Sequence, residues 1–232
     1  GSPPSRLNTT VLLNSPRVTK DLDYCWIRTK KRTHFAQDLK ETLEELSGVE
    51  VIDIKANSRG IFLTVQDQPT GNNAKIEISV ERSTHLPPKP LSTDVLTNRY
   101  LMSPHIVSAM DPREALAHKI AAALERDLVR DLYDLVQMEP ITPFDLETLK
   151  DRLRRLEILR AKPRNVSLEE AATLLRQRVD SLTEKKINDQ LSGSLSAVQL
   201  AGLNLLIRAT VSRIIQKLEV YQKRFVNTPQ VV

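Results

Sequence analysis

The chain has 232 residues, 40% of them hydrophobic and 27% charged. That balance belongs to an ordinary globular protein, long enough for one large domain or two smaller ones with cores of their own. One cysteine, Cys25, excludes an intrachain disulfide and fits a reducing, cytoplasmic setting. No apolar run reaches the roughly 18–20 residues of a membrane helix, and the first residues lack the apolar stretch of a signal peptide. Gly1-Ser2 reads as a cloning remnant.

In chain order, the first half mixes strands with a helix. Asp21-Leu22-Asp23 has the alternation of a strand, and "YCWI" continues it. Residues 35–46 carry apolar side chains at 35, 39, 43 and 46, a helical spacing that Gly48 ends. Residues 49–56 alternate with period two. The turn residues Asn57-Ser58-Arg59-Gly60 lead to a hairpin partner over 61–66, and a second turn leads to a strand over 74–81. Residues 86–94, "LPPKPLSTD", read as a proline-rich connector.

From Asp111-Pro112, an N-cap and first-turn pair, to about residue 223 the pattern is helical. One segment covers 111–135, one covers 142–160 with Thr142 as cap, and one starts at Ser167. A long last helix over 195–224 places Leu200, Leu203, Ile207, Ile214 and Leu218 on its buried face. The expected fold is α+β: a mixed-sheet domain over residues 1–110, then an α-helical bundle over 111–232.

Three carboxylates stand out. Asp21 and Asp23 fall on one face of their strand. Two carboxylates so placed repel unless a cation lies between them, and hard oxygen ligands suit Mg²⁺. Glu77, between Ile76 and Ile78 on another strand, is costly there unless paired or metal-bound. Such a trio suits two-metal phosphoryl chemistry. The plainer alternative is an open sheet with all three facing solvent.

The net charge of +5 is gathered into two groups. The first is Arg28, Lys30, Lys31 and Arg32. The second runs from Lys150 to Arg164 and includes Arg152, Arg154, Arg155 and Arg160. Either can attract a phosphate backbone or form a solvated helix face. Along one straight helix over 111–135, Arg126 and Arg130 each fall within about 20° of Lys119, with Asp134 about 60° from Lys119 and Asp131 about 120° away. That stripe can meet phosphate charge or form surface ion pairs such as Arg130 with Asp134. The histidines His34, His85, His105 and His118 show no metal-ligand spacing.

Taken together, these segments resemble a family. Arg17-Val18-Thr19-Lys20-Asp21-Leu22-Asp23 is similar to the Arg-x-Ser/Thr-x-Asp-Ile/Leu-Asp motif of the AbiEii/AbiGii-type, MenT-like nucleotidyltransferase toxins of the DNA polymerase β-like superfamily. The Glu77 strand resembles that family's third-carboxylate strand, and "ALAHKIAAALERDLVRDLYDL" its Lys-x-x-Ala…Arg…Arg-Asp-x-x-Asp-Leu segment. One departure concerns the family's Gly-Gly or Gly-Ser pair about ten residues before the motif arginine. Arg6-Leu7 stand at that distance, and Gly1-Ser2 lies further back.

The resemblance implies a nucleotidyltransferase-like mixed sheet followed by a helical bundle that contributes to the site. It implies Mg²⁺ or Mn²⁺ on Asp21, Asp23 and Glu77, and catalytic roles for those three with Lys119 and Asp131. Nucleotide phosphates would meet Arg17, Thr19, Lys119, Arg126 and Arg130, and Thr19 would be a regulatory modification site. The implied partners are a nucleoside triphosphate, an RNA acceptor such as a tRNA 3′ end, met by Arg152, Arg154, Arg155 and Arg160, and a cognate antitoxin. The competing expectation is a non-catalytic nucleotide- or RNA-binding regulatory module on the same fold.

Overall fold

The computed structural model describes residues 21–25, 31–57, 60–79, 85–98, 103–154, 156–158 and 162–226. They fall into two compact units that divide after Asp111. Arg17, Thr19, Arg155 and Arg160 lie outside the described residues, as do Trp26 and Ile27 of the expected "YCWI" strand.

In the first unit, β1 (Asp21–Cys25), α1 (Arg32–Glu44), β2 (Val49–Ala56), β3 (Gly60–Asp67) and β4 (Asn72–Ser79) follow one another. The strands form one sheet in the order β1-β4-β3-β2. β1 runs parallel to β4, while β3 is antiparallel to both β2 and β4. Period-two patterning assigns the faces. Ile61, Leu63, Ile76 and Ile78 are buried in one core with Ala36, and Phe35, Leu39 and Leu43 of α1 pack against it. The other face carries Phe62, Thr64 and Glu77 at neighbouring positions of β3 and β4.

Gly60 is fixed by close approach: a Cβ there would run into the Ile78 carbonyl oxygen across the β3–β4 ladder. At the end of α1, Gly48 takes a left-handed φ of 79°, and its carbonyl accepts the Gln68 backbone N–H at 2.8 Å. The segment expected as a connector contains a strand. β5 (Lys89–Ser92) pairs antiparallel with β6 (Ile106–Ala109), and Pro90 stands opposite Ser108. In a two-stranded sheet each strand has a free edge, where a proline's missing N–H does no harm. α2 (Asp94–Thr97) lies between them.

The second unit is helical: α3 (Pro112–Glu125), α4 (Val129–Met138), α5 (Leu146–Leu153), α6 (Leu168–Asp180), α7 (Glu184–Leu191), α8 (Ala197–Leu200) and α9 (Leu203–Val226). Its core includes Leu116, Ile120, Leu124, Leu135, Leu149, Leu175, Ile207, Ile214 and Leu218. α6 packs on α9, and α3 packs on α4 and α5. As the capping pattern predicts, the Ser167 side chain accepts the Glu170 N–H at the start of α6.

Three predicted helices are shorter or broken. The segment over 111–135 is two helices, and side chains from elsewhere satisfy the groups freed at the break. Arg178 donates to the Leu124 carbonyl at 3.1 Å, and the Val129 N–H donates to Gln190 Oε1 at 2.8 Å. Lys186 holds Asp127 inside the break at 2.7 Å. The segment over 142–160 reduces to α5, capped by Asp145 rather than Thr142. The Thr142 N–H instead bonds the Met138 carbonyl at 3.0 Å, in the turn that ends α4. The last helix is interrupted before α9: Ser196 and Gln199 form a capping box on α8, Ala201 is extended, and Gly202 adopts φ 74°. Apolar periodicity continues across that kink because Leu203 is buried, so the sequence hides it.

Candidate active site

The first cluster is set by strand pairing. In the parallel β1–β4 ladder Asp21 is the register partner of Lys75, and Asp23 of Glu77. Adjacent strands lie about 4.8 Å apart, so positions 23 and 77 are neighbours. Ile76 and Ile78 are buried and Glu77 is exposed. Glu77 therefore sits on the polar side of an alternating strand. Desolvation, the reason for expecting it to need a partner, does not act on it. The register of β1 on β4 brings Asp23 beside Glu77 along the ladder, and carboxylates are the hard-oxygen donors that Mg²⁺ or Mn²⁺ takes, so the residue types at these positions fit such a cation.

The second cluster lies in the helical unit. The break after α3 turns α4 so that Lys119 Nζ donates to Asp134 Oδ2 at 2.6 Å, with Lys119 4% and Asp134 3% exposed. Arg126 Nη2 donates to Asp131 Oδ1 at 2.9 Å. Asp131 is 2% exposed, while the Arg126 side chain is 43% exposed. Burial pushes the Asp131 carboxyl up from its ordinary range, and Asp134 adds to the rise; Arg126, Lys119 and Arg130 oppose it. Asp131 Oδ2 has no hydrogen-bond partner among the described residues. The expected stripe of Lys119, Arg126 and Arg130 is not formed, because the helix that would carry it is broken. In its place, Lys119, Asp131 and Asp134 are buried, and Arg126 reaches Asp131 from an exposed position. Asp134, expected to pair with Arg130 on a straight helix, is bonded to Lys119.

Among the described residues of the basic segment near 150–164, three cations form local ion pairs. Lys150 meets Glu147 at 2.9 Å, Arg154 meets Asp151 at 3.3 Å, and Arg164 meets Glu170 at 2.5 Å. Arg152 on α5 is half-buried. Two arrangements had no signal in the sequence. One is the Arg126–Asp131 pair, which depends on the break. The other is a buried carboxylate, Glu139, held by Arg213 at 2.8 Å and Lys217 at 2.7 Å across more than seventy residues of chain.

A family model described as nucleotidyl transferase AbiEii toxin, type IV toxin–antitoxin system, matches residues 7–216. The chain belongs to this family. Solved structures agree on the fold. A nucleotidyltransferase toxin of Mycobacterium tuberculosis, MenT4, aligns with a TM-score of 0.52 at 16% identity, covering 94% of this chain and 78% of that one. An H. pylori protein assigned as a nucleotidyltransferase aligns with a TM-score of 0.51 at 13% identity, covering 95% and 88%. None of the curated proteins matches. The α+β class expected from the sequence is thus the fold of an AbiEii nucleotidyltransferase toxin. No described helix is long and apolar enough to cross a membrane.

Proposed function

We propose that this AbiEii toxin transfers a nucleoside monophosphate from a nucleoside triphosphate to an RNA acceptor, with the 3′ end of tRNA as the acceptor of choice. The observation that supports it is the register pairing of Asp23 with the exposed Glu77 across the parallel β1–β4 ladder. The acceptor hydroxyl oxygen attacks the α-phosphorus, the bond from that phosphorus to its bridging oxygen breaks, and pyrophosphate leaves. Asp21, Asp23 and Glu77 would hold Mg²⁺ or Mn²⁺, which supplies positive charge to the phosphates when bound. Glu77 is exposed and able to accept the hydroxyl proton.

Lys119 supplies a cation fixed in place by Asp134, preorganised for charge that grows on the phosphates. Asp131 holds Arg126, whose exposed guanidinium together with Arg130 meets nucleotide phosphates. Arg17 and Thr19 precede the carboxylate strand and would stand at the nucleotide's edge. A phosphate on Thr19 would repel both carboxylates and nucleotide; mass spectrometry of toxin silenced by a cognate antitoxin tests this, and an unmodified Thr19 in silenced protein overturns it. Arg152, Arg154, Arg155 and Arg160 would follow the RNA backbone, working in the cytoplasm where tRNA is available.

The test is label transfer from each α-labelled nucleoside triphosphate to total tRNA with Mg²⁺. Wild type is expected to label tRNA with at least one of them, and Asp21→Ala to lose the labelling while keeping its thermal midpoint. Absence of transfer with every nucleotide, alongside measurable nucleotide binding, would leave a non-catalytic binding module as the function.

A further inference from the structure

The helical unit carries a second concave surface that the transferase reading does not use. The turn after α4 and the C-terminal half of α9 enclose an open cleft of about 690 Å³. Pro140 and Pro143 stiffen one wall. Ile141, 60% exposed, lines the cleft, and Val220, 50% exposed, lines an adjoining pocket that shares Arg213, Lys217 and Tyr221 with it; both are uncovered apolar side chains. Its floor is charged. Glu139, 7% exposed, holds Arg213 and Lys217, whose side chains remain 48% and 36% exposed. Two cations against one carboxylate leave a net positive charge, and the buried partner keeps both cations in fixed positions.

We infer that this cleft docks an acidic, amphipathic segment of a protein partner, with an apolar side chain against Ile141 and Val220 and a carboxylate on Arg213 and Lys217. The charge of the cleft selects an acidic partner. Its rigid apolar wall and fixed cations reduce the ordering needed on binding. Two other occupants fit less well. An RNA base needs a free aromatic face, but the Phe144 ring is already stacked on Tyr221, centroids 5.9 Å apart, and has the Lys217 ammonium 5.8 Å from its centroid. A second copy packed antiparallel along α9 could match exposed Leu206 with the other Val220, residues within about 40° on the helix. That register sets Arg213 opposite its own copy, and like charges at an interface are unfavourable.

The test pans a random dodecapeptide display library against the full chain and maps the selected peptides by amide hydrogen exchange. The inference expects peptides rich in Asp or Glu with Leu, Ile or aromatic residues, and slowed exchange at residues 139–144 and 213–221. Ile141→Asp and Val220→Asp are surface changes. Each should weaken peptide binding about tenfold or more with an unchanged thermal midpoint. Neutral or basic selected peptides, or protection elsewhere, would overturn it. So would protection of these amides by a uridine-rich RNA oligonucleotide, or by raising the concentration of the protein alone. None of these outcomes depends on transferase activity, so failure here leaves the catalytic proposal standing.

Discussion

At the scale of single residues, the buried charges decide what a mutation means. Removing Lys119 leaves the Asp134 carboxylate buried without that cation, a loss of about 3–5 kcal/mol in comparable sites. Lys119→Met should therefore lower the thermal midpoint as well as activity, and lost activity alone would be ambiguous. The double change Lys119→Met with Asp134→Leu removes both charges and should recover most of the stability while labelling of tRNA stays absent. Recovery of labelling in the double variant would show that Lys119 acts only through folding. Asp131 behaves differently. Its raised carboxyl binds a proton more tightly in the folded chain, so its contribution falls as pH rises upward from the ordinary value of 3.8. Asp131→Asn removes that dependence and leaves Arg126, 43% exposed, in contact with water. Stability at neutral pH should change by no more than about 1 kcal/mol or increase. A destabilisation beyond about 3 kcal/mol in chemical denaturation would mean that the Arg126 pair outweighs the burial.

At the scale of elements, period and punctuation made the sheet legible. Val49–Ala56 has the bounds that alternation predicts, and Gly60 marks the close β3–β4 approach. Gly60→Ala should cost about 1–3 kcal/mol through overpacking against the Ile78 carbonyl, read as a lower midpoint; an unchanged midpoint would mean that the strand shifts freely. The helices were less legible because their ends are set by distant side chains. Nothing local foretells that Arg178 and Gln190 would satisfy the break between α3 and α4. Glu139 is a similar long-range case. Burial alone would push its carboxyl up, but hydrogen bonds from Arg213 and Lys217 outweigh that and hold it below its ordinary 4.5. Its stabilisation is present at neutral pH and is lost as pH falls below that value. Glu139→Gln should cost about 1–3 kcal/mol at neutral pH, and the gap from wild type should narrow in acid. A gap that stays constant with pH would show that packing, not charge, is at work.

At the scale of the whole molecule, the basic excess and the family motifs were legible, since composition and short spacings carry them. Of the pairs in the basic run, Lys150 with Glu147 and Arg154 with Asp151 follow from a spacing of three residues, whereas Arg164 with Glu170 depends on the turn that leads into α6. These exposed pairs do not argue against RNA. Surface ion pairs contribute only about 0–1 kcal/mol, and a phosphate can displace the carboxylate while releasing counterions. Arg154, paired with Asp151 at 3.3 Å and 69% exposed, is the clearest case. Arg154→Gln, alone and with Arg160→Gln, should weaken tRNA binding uniformly across sequences. Each lost phosphate contact should also flatten the plot of log affinity against log salt by roughly 0.7–0.9 of a unit. The KM for RNA should rise in label transfer, while the KM for the nucleoside triphosphate stays within about twofold of wild type. An unchanged salt slope would move the RNA backbone off this surface, and an effect confined to the nucleotide KM would assign these arginines to the triphosphate instead.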